Sequence, residues 1–272
     1  AVESKIQAVE AARAANVPTE NLYAWSAYHR GLWHMYRFNP SDTEIAQNMF
    51  QRAVDADKNF CRAYAGLSYT NFQKVFQLYT PDAAHHRELA RRHAEKSLEL
   101  DPMDPFANLV KGRSQWLEGD VESALEWTSR STEINPNYAT ALYNKALLNS
   151  ILCNGEGGAE DITKAIGLSP IDPLIQSMLA IRALSAFLNK DNESALSWAG
   201  KALRAPNLHP YAVAIAAIVY GHNGKDEEAR QCVEKIRQQN SSFTRDDFFA
   251  RFSMKDASIL EHSRTLLKNY GL

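Results

Sequence analysis

The sequence predicts an all-α fold, a right-handed α-α superhelix of about six helical hairpins closed by a capping helix. Three observations carry this. Pro102, Pro136 and Pro170 recur at intervals of 34 residues, each preceded by a small polar or acidic residue: Asp101, Asn135 and Ser169. Between these prolines small residues recur in matching places, with Gly112 and Ala146 midway along a first amphipathic run and Ala124 and Gly158 opening a second. No stretch combines β-branched enrichment with strict alternation over more than a few residues, so no strands are expected.

Each unit therefore reads helix, turn, helix, turn. Small residues are required where the two helices of a hairpin cross closely, because a larger side chain pushes the axes beyond about 8 to 10 Å. Proline cannot continue a helix, so just past a helix end it stops one hairpin and turns the chain into the next.

The elements follow in order. Residues 1–20 are expected to form an amino-terminal helical segment, residues 21–241 the repeats, and residues 242–272 the capping helix. The hairpins are expected near residues 24–58, 59–104, 105–138, 139–172, 173–209 and 210–241. In the first, Ala27, Gly31 and His34 open a unit whose second helix holds Ala46, Phe50 and Ala53, with Lys58 where proline is expected and a longer turn around Asn39 and Pro40. In the second, Gly66 and Tyr69 begin a hairpin whose second helix is expected over Arg87 to Leu100. About a dozen extra residues, holding Phe72, Phe76, Tyr79 and Pro81, are expected between its helices as an inserted segment. Toward the carboxyl end, Asn189-Lys190-Asp191 and Asn223-Gly224-Lys225-Asp226 are turn signals, with Asp191 and Asp226 expected as helix N-caps. Phe248, Phe249 and Phe252, followed by a helix with Ile259, Leu260, Leu266 and Leu267, are expected to cover the last hairpin's open face.

The period, the Gly/Ala and Tyr placements, and phrases such as Leu98-Glu-Leu-Asp-Pro102 and Glu133-Ile-Asn-Pro136 resemble tetratricopeptide repeats (TPR) over roughly Leu22 to Ser241. Asn108 departs from that pattern, standing where a large apolar residue is usual. A narrower resemblance rests on Tyr28-His-Arg-Gly31, Tyr36-Arg-Phe38, Phe50-Gln-Arg-Ala53-Val54, Ala63-Tyr-Ala-Gly66-Leu67 and the tail Phe252-Ser-Met-Lys-Asp256. These are similar to the TPR region that follows the effector domain of bacterial winged-helix transcriptional regulators and class III nucleotide cyclases. That resemblance implies the sensor or partner-docking half of a signalling or transcription-regulation protein. Co-chaperones that grip a terminal carboxylate resemble one another in a Lys and Asn pair on successive first helices, whereas Tyr28, Leu32, Ala63 and Leu67 stand at the matching places here. Those donors are missing, which argues against that subclass.

Composition narrows the function classes. Lys plus Arg number 30 against 32 Asp plus Glu, so a net charge of −2 offers no global attraction to phosphate, and direct nucleic-acid binding is not expected. No apolar run reaches the roughly 18 to 20 residues of a membrane span. The chain begins at Ala1 without an initiator Met, which reads as a processed or excised fragment of something longer. Cys61, Cys153 and Cys232 are odd in number and far apart, which fits reduced thiols and a cytoplasmic location.

The binding wall of such a fold is lined by the first helix of each hairpin. A helical wheel places Trp25, Tyr28, Leu32, Met35, Leu109, Arg113, Trp116, Tyr143 and Leu147 on it as candidate groove residues for a protein or peptide ligand. The alternative use of those side chains is packing between hairpins. His85, His86 and His93 are spaced to share a helical face, but no cysteine or paired carboxylate completes a metal site, so a solvated basic stripe with Arg87, Arg91 and Arg92 is expected. Asn154-Gly-Glu-Gly-Gly158 lacks the Lys-Ser/Thr of a phosphate loop and reads as the turn inside a hairpin. Ser68 falls inside a helix, not at a nucleophile elbow. With no catalytic set, cofactor or metal expected, three functions are open: a protein-binding scaffold, a small-molecule sensor in which Phe72 to Pro81 folds over the groove, and a self-associating module forming a homodimer.

Overall fold

The computed structural model describes residues 23–272, so the amino-terminal segment expected over residues 1–20 lies outside the described residues. Among the described residues there are fourteen helices and no strand. The chain divides into two compact units, the first ending at Ala141 and the second starting at Leu142. The helices of the first are α1 (Ala24–Met35), α2 (Pro40–Ala56), α3 (Cys61–Phe76), α4 (Ala83–Leu100), α5 (Pro105–Leu117) and α6 (Val121–Ile134). Helix α7 (Ala139–Ile151) runs past the division. The second unit continues with α8 (Gly155–Leu168), α9 (Ile175–Leu188), α10 (Asn192–Arg204), α11 (Pro210–His222), α12 (Asp226–Gln239), the short α13 (Arg245–Phe249) and α14 (Ala257–Asn269).

Two kinds of turn alternate, and each has a local cause. Between hairpins the residue before the proline is pushed out of the helical region by the ring that follows it. Accordingly Asp101 sits at φ −149°, ψ 95° and Asn135 at φ −132°, ψ 93°. Asp57 adopts nearly the same backbone, φ −142°, ψ 102°, although Lys58 replaces the proline.

Inside hairpins the first helix ends on one residue in the left-handed region, and the next amide reaches back five residues. The pattern repeats at Leu78 (φ 60°), Gly119 (φ 87°), Cys153 (φ 60°), Lys190 (φ 59°) and Gly224 (φ 67°). The matching bonds run from Tyr79 N to Lys74 O, Asp120 N to Gln115 O, Asn154 N to Asn149 O, Asp191 N to Ala186 O and Lys225 N to Tyr220 O. Asp82, Asp120, Asn154 and Asp191 then cap the second helices by accepting from an amide three residues on.

Four expectations change. Phe72 and Phe76 belong to no inserted segment, because α3 runs on through Phe76 and α4 starts at Ala83, not Arg87; the extra residues lengthen both helices. With no segment left to fold over a groove, the sensor reading loses its lid. Gly155 to Gly158 form the first turn of α8 instead of a loop, since Asn154 supplies the cap. Lys225, not Asp226, occupies the N-cap of α12, and the Asp226 carboxylate instead accepts from Tyr270 Oη at 2.6 Å. His86 and His93 are half-buried and turn toward α3: His86 Nδ1 lies 2.7 Å from Asn71 Oδ1, and the His93 ring lies beside Tyr64.

Small residues set the helix spacing. Phe50 of α2 wedges its ring against both Gly31 of α1 and Gly66 of α3, where an added Cβ would lie 2.6 Å from ring carbons in each case. Around this ring the core of the first unit gathers Tyr28, Leu32, Met35, Leu67, Tyr69, Phe106 and Leu109. In the second unit α11 is apolar round its whole circumference, and Tyr211 through Val219 are all buried. A helix of that kind needs cover on every side. Helices α9, α10, α12 and α14 supply most of it, and Phe243, Phe248 and Phe252 add to it against Tyr211.

Candidate partner-binding site

Eight of the nine candidate groove residues are buried: Tyr28, Leu32, Met35, Leu109, Arg113, Trp116, Tyr143 and Leu147. Trp25 alone is widely open, at 51% exposure, with its ring 4.2 Å from that of His29. Tyr28, Leu32, Met35 and Leu109 are core residues of the first unit, so packing accounts for them. Tyr143 and Leu147 fall in the second unit.

What the first unit does assemble is an aromatic cluster around one cation. The guanidinium of Arg113, from α5, lies 4.2 Å from the Tyr69 ring centroid and 4.8 Å from that of Phe72, both on α3. Phe72 stacks on Phe76 at 5.3 Å, one helical turn on. Trp116 of α5 closes the group, 5.8 Å from Phe72 and 5.2 Å from Phe76. Phe106 extends it from the start of α5, 6.0 Å from Tyr69. Burial grades across the cluster: Tyr69, Phe72 and Arg113 are covered, while Phe76 is half-buried and forms its accessible edge. Tyr36, just past the end of α1, is half-buried as well and packs against the same core.

The spacing explains the local fold. Tyr69, Phe72 and Phe76 are three and four residues apart, the interval that puts side chains on one helical stripe. That stripe is legible in the sequence but is hidden when residues 72–81 are read as an insertion.

Two further cations of α3 pair within the unit. Arg62 Nε donates to the buried Asp104 carboxylate at 2.7 Å, and Lys74 Nζ pairs with Glu44 at 2.6 Å. Tyr138 packs on the core, and burial raises its phenol well above the ordinary range, aided by neighbouring Tyr36, Tyr28 and Tyr69. Among the described residues no group of three or more His, Cys, Asp or Glu side chains is placed to hold a metal ion, and no helix is long and apolar enough to cross a membrane. The arrangement leaves an apolar edge at Phe76, backed by rings packed on a buried cation.

The fold is that of tetratricopeptide-repeat proteins. It superposes on pilF of Pseudomonas aeruginosa with a TM-score of 0.56 at 13% identity, covering 83% of this chain and 94% of that one. TTC0263 of Thermus thermophilus, a thermophilic TPR protein, matches with a TM-score of 0.54 at 16% identity over 72% of this chain and 98% of its own. The APC/C hetero-tetramer Cut9-Hcn1 gives a TM-score of 0.66 at 13% identity, covering 99% of this chain, which spans 46% of that longer one. At these identities the likeness concerns the fold. No protein-family model matches the chain, and no curated protein matches it.

Proposed function

We propose that this chain is a non-enzymatic protein-interaction scaffold whose first unit grips a peptide segment at the Arg113 cluster. The observation that carries the reading is the guanidinium of Arg113 laid over Tyr69 and Phe72, with Trp116 behind them and Phe76 at the rim. Rigid aromatic anchors bind at low entropic cost, and a cation stacked on rings is held in place before a partner arrives. The matching partner segment carries an apolar or aromatic side chain that packs on the accessible Phe76 edge. The hetero-tetrameric assembly of Cut9-Hcn1, a structure of the same fold, supports a scaffold role. The resemblance of Tyr28-His-Arg-Gly31 and Phe252-Ser-Met-Lys-Asp256 to bacterial regulator regions supports placing that scaffold in a larger bacterial signalling or transcriptional protein, and the three scattered cysteines favour the cytoplasm.

The test is selection of a displayed random-peptide library on the intact chain, followed by calorimetry of the selected peptides. Enrichment of apolar and aromatic side chains is expected, with affinity falling about tenfold or more in Phe76→Ser and Arg113→Gln variants of unchanged helicity, the cost of losing one anchor or the cation that holds the rings in place. Selected peptides that bind both variants as they bind the parent chain contradict the reading.

A further inference from the structure

The second unit holds two cations on one indole with no acid paired to either. On α10, Lys201 Nζ lies 3.8 Å from the ring centroid of Trp198, three residues earlier on the same helix. From α9, the facing helix of that hairpin, the Arg182 guanidinium carbon lies 5.6 Å from the same centroid. Among the described residues no carboxylate stands within 4.0 Å of either cation. The Asp191 carboxylate feels the Arg182 charge, but it is occupied in capping α10, where it accepts from the Ser194 amide at 3.1 Å. Elsewhere in the unit a half-buried lysine does have its acid, with Lys145 Nζ 3.1 Å from Asp161.

Helix ends do not account for the pair. Lys201 and Arg204 lie in the last turn of α10, where a positive charge suits the negative end of the helix. Arg182 lies in the middle of α9, where that field gives it nothing. The indole face attracts each cation, but it carries no charge, so the two positive centres still repel one another. Lys201 is exposed while Trp198 and Arg182 are half-buried, so an anion reaches them from solvent. Both charges are anchored on one ring and lie within reach of one tetrahedral oxyanion, whose oxygens accept at about 2.7 to 2.9 Å.

The missing counter-charge defines the ligand. A carboxylate brings a single negative charge, whereas a phosphate monoester brings about −1.5 to −2 at pH 7 and three acceptor oxygens, enough for a guanidinium fork and an ammonium together. With cations over its ring, Trp198 is not free to enter a lipid layer, which favours a phosphate borne by a protein over one borne by a membrane. We propose that Trp198, Arg182 and Lys201 form a binding site for a phosphoryl group carried on a side chain of a partner protein, so that docking at the second unit depends on phosphorylation of that partner. The site uses none of the residues of the Arg113 cluster and does not rest on the role given to it.

The indole N–H resonances of the full chain report on the site. Trp198 is one of five tryptophans, and its signal is assigned by its loss in Trp198→Phe. Titration at constant ionic strength with a short alanine peptide bearing one phosphoserine is expected to move the Trp198 signal saturably, with inorganic phosphate competing. Trp127, which has the single cation Arg130 at 5.8 Å, is expected to stay in place. Lys201→Gln and Arg182→Gln are each expected to weaken binding about tenfold or more, the loss of one charge-assisted partner. Arg204→Gln removes a charge from the same helix end without removing one from the ring, and is expected to weaken it less than about twofold. Should Arg182→Gln not fold, Lys201→Gln, at an exposed position, remains decisive. The proposal is overturned by the absence of a saturable shift, by equal binding of a peptide with glutamate in place of phosphoserine, or by an equal loss in Arg204→Gln. A response to inorganic phosphate or to phosphatidic-acid vesicles, but not to the phosphopeptide, overturns it as well.

Discussion

The backbone carbonyl of Ala124 stands where a side chain on Gly112 would have to go: a Cβ built on Gly112 lies 2.8 Å from that oxygen and 2.5 Å from Thr128 Oγ1. Helices α5 and α6 approach this closely because the residue is glycine. A buried carbonyl fixed in a helix cannot step aside as a flexible side chain can. Overpacking costs about 1 to 3 kcal/mol, while alanine gains about 1 kcal/mol of helix propensity over glycine. Gly112→Ala is therefore expected to lower stability by up to about 2 kcal/mol. Gly167 in α8 meets nothing within 4 Å, so Gly167→Ala is expected to raise stability by about 0.5 kcal/mol. Urea midpoints of the two variants check the opposite signs.

Lys190 ends α9 in the left-handed region, a conformation that costs a residue with a Cβ about 1 to 2 kcal/mol. Gly119 and Gly224 hold the equivalent place in two other hairpins. Glycine removes that strain but adds roughly 0.5 to 1 kcal/mol of freedom to the unfolded chain. Lys190→Gly is expected to stabilise by up to about 1 kcal/mol, read from the same urea midpoints. A lower midpoint contradicts the strain.

His209 caps α11 with its ring, Nδ1 accepting from the amide of Tyr211 at 3.3 Å. Burial pushes its pKa down to about 4, and burial, with help from the Arg92 charge, pushes His93 down to about 4 as well. Protonation would take away the acceptor and place a positive charge at the positive end of a helix. Both groups stay neutral in the folded chain while an unfolded histidine takes its proton near pH 6.5. The unfolded state binds more protons between these values, so stability is full above about pH 7 and falls as pH drops from about 6.5 to 4. His209→Asn keeps a capping oxygen that does not titrate. It is expected to flatten part of that slope, leaving the share of His93, in denaturation midpoints followed from pH 7.5 to 4.5.

Burial raises the Cys61 thiol to about 11 and the Cys232 thiol to about 12, and Cys61 also bonds to Ser97. The thiolate is the reactive form, so at pH 8 both are expected to alkylate slower than in the unfolded chain by about two orders of magnitude. Peptide mass spectrometry after brief iodoacetamide treatment, with and without denaturant, measures the ratio. Equal labelling in both conditions contradicts the packing of these residues.

The fold class was legible because the signals that specify it are local. A proline constrains the residue before it, and Asp101 and Asn135 adopt the expected extended backbone. Small residues at Gly112 and Ala124 mark a close crossing whether or not the partner helix is known. The candidate site was legible only in part. A helical wheel gives the direction of Leu109 or Met35 but not how deep the neighbours stand, and both are fully covered. Phe72 and Phe76 read as an insertion because their unit is longer than the 34-residue period, whereas helix extension absorbs the surplus. Asp226 reads as a cap because Asn223-Gly224 marks a turn, yet the left-handed Gly224 leaves Lys225 in the cap position. The path of residues 243–255 from Tyr211 to Ile151 depends on contacts between residues far apart in the chain, which no local pattern encodes.

The central claim, that a partner segment docks at the rim of the Arg113 cluster, is tested most directly by site-specific photo-crosslinking of a selected peptide. A benzoylphenylalanine replaces Phe76 in one sample and the exposed Lys96 of α4 in another. The account predicts a crosslink from position 76, abolished when Arg113→Gln is added, and none from position 96. Crosslinking from position 96 alone, or equally from both, would contradict it.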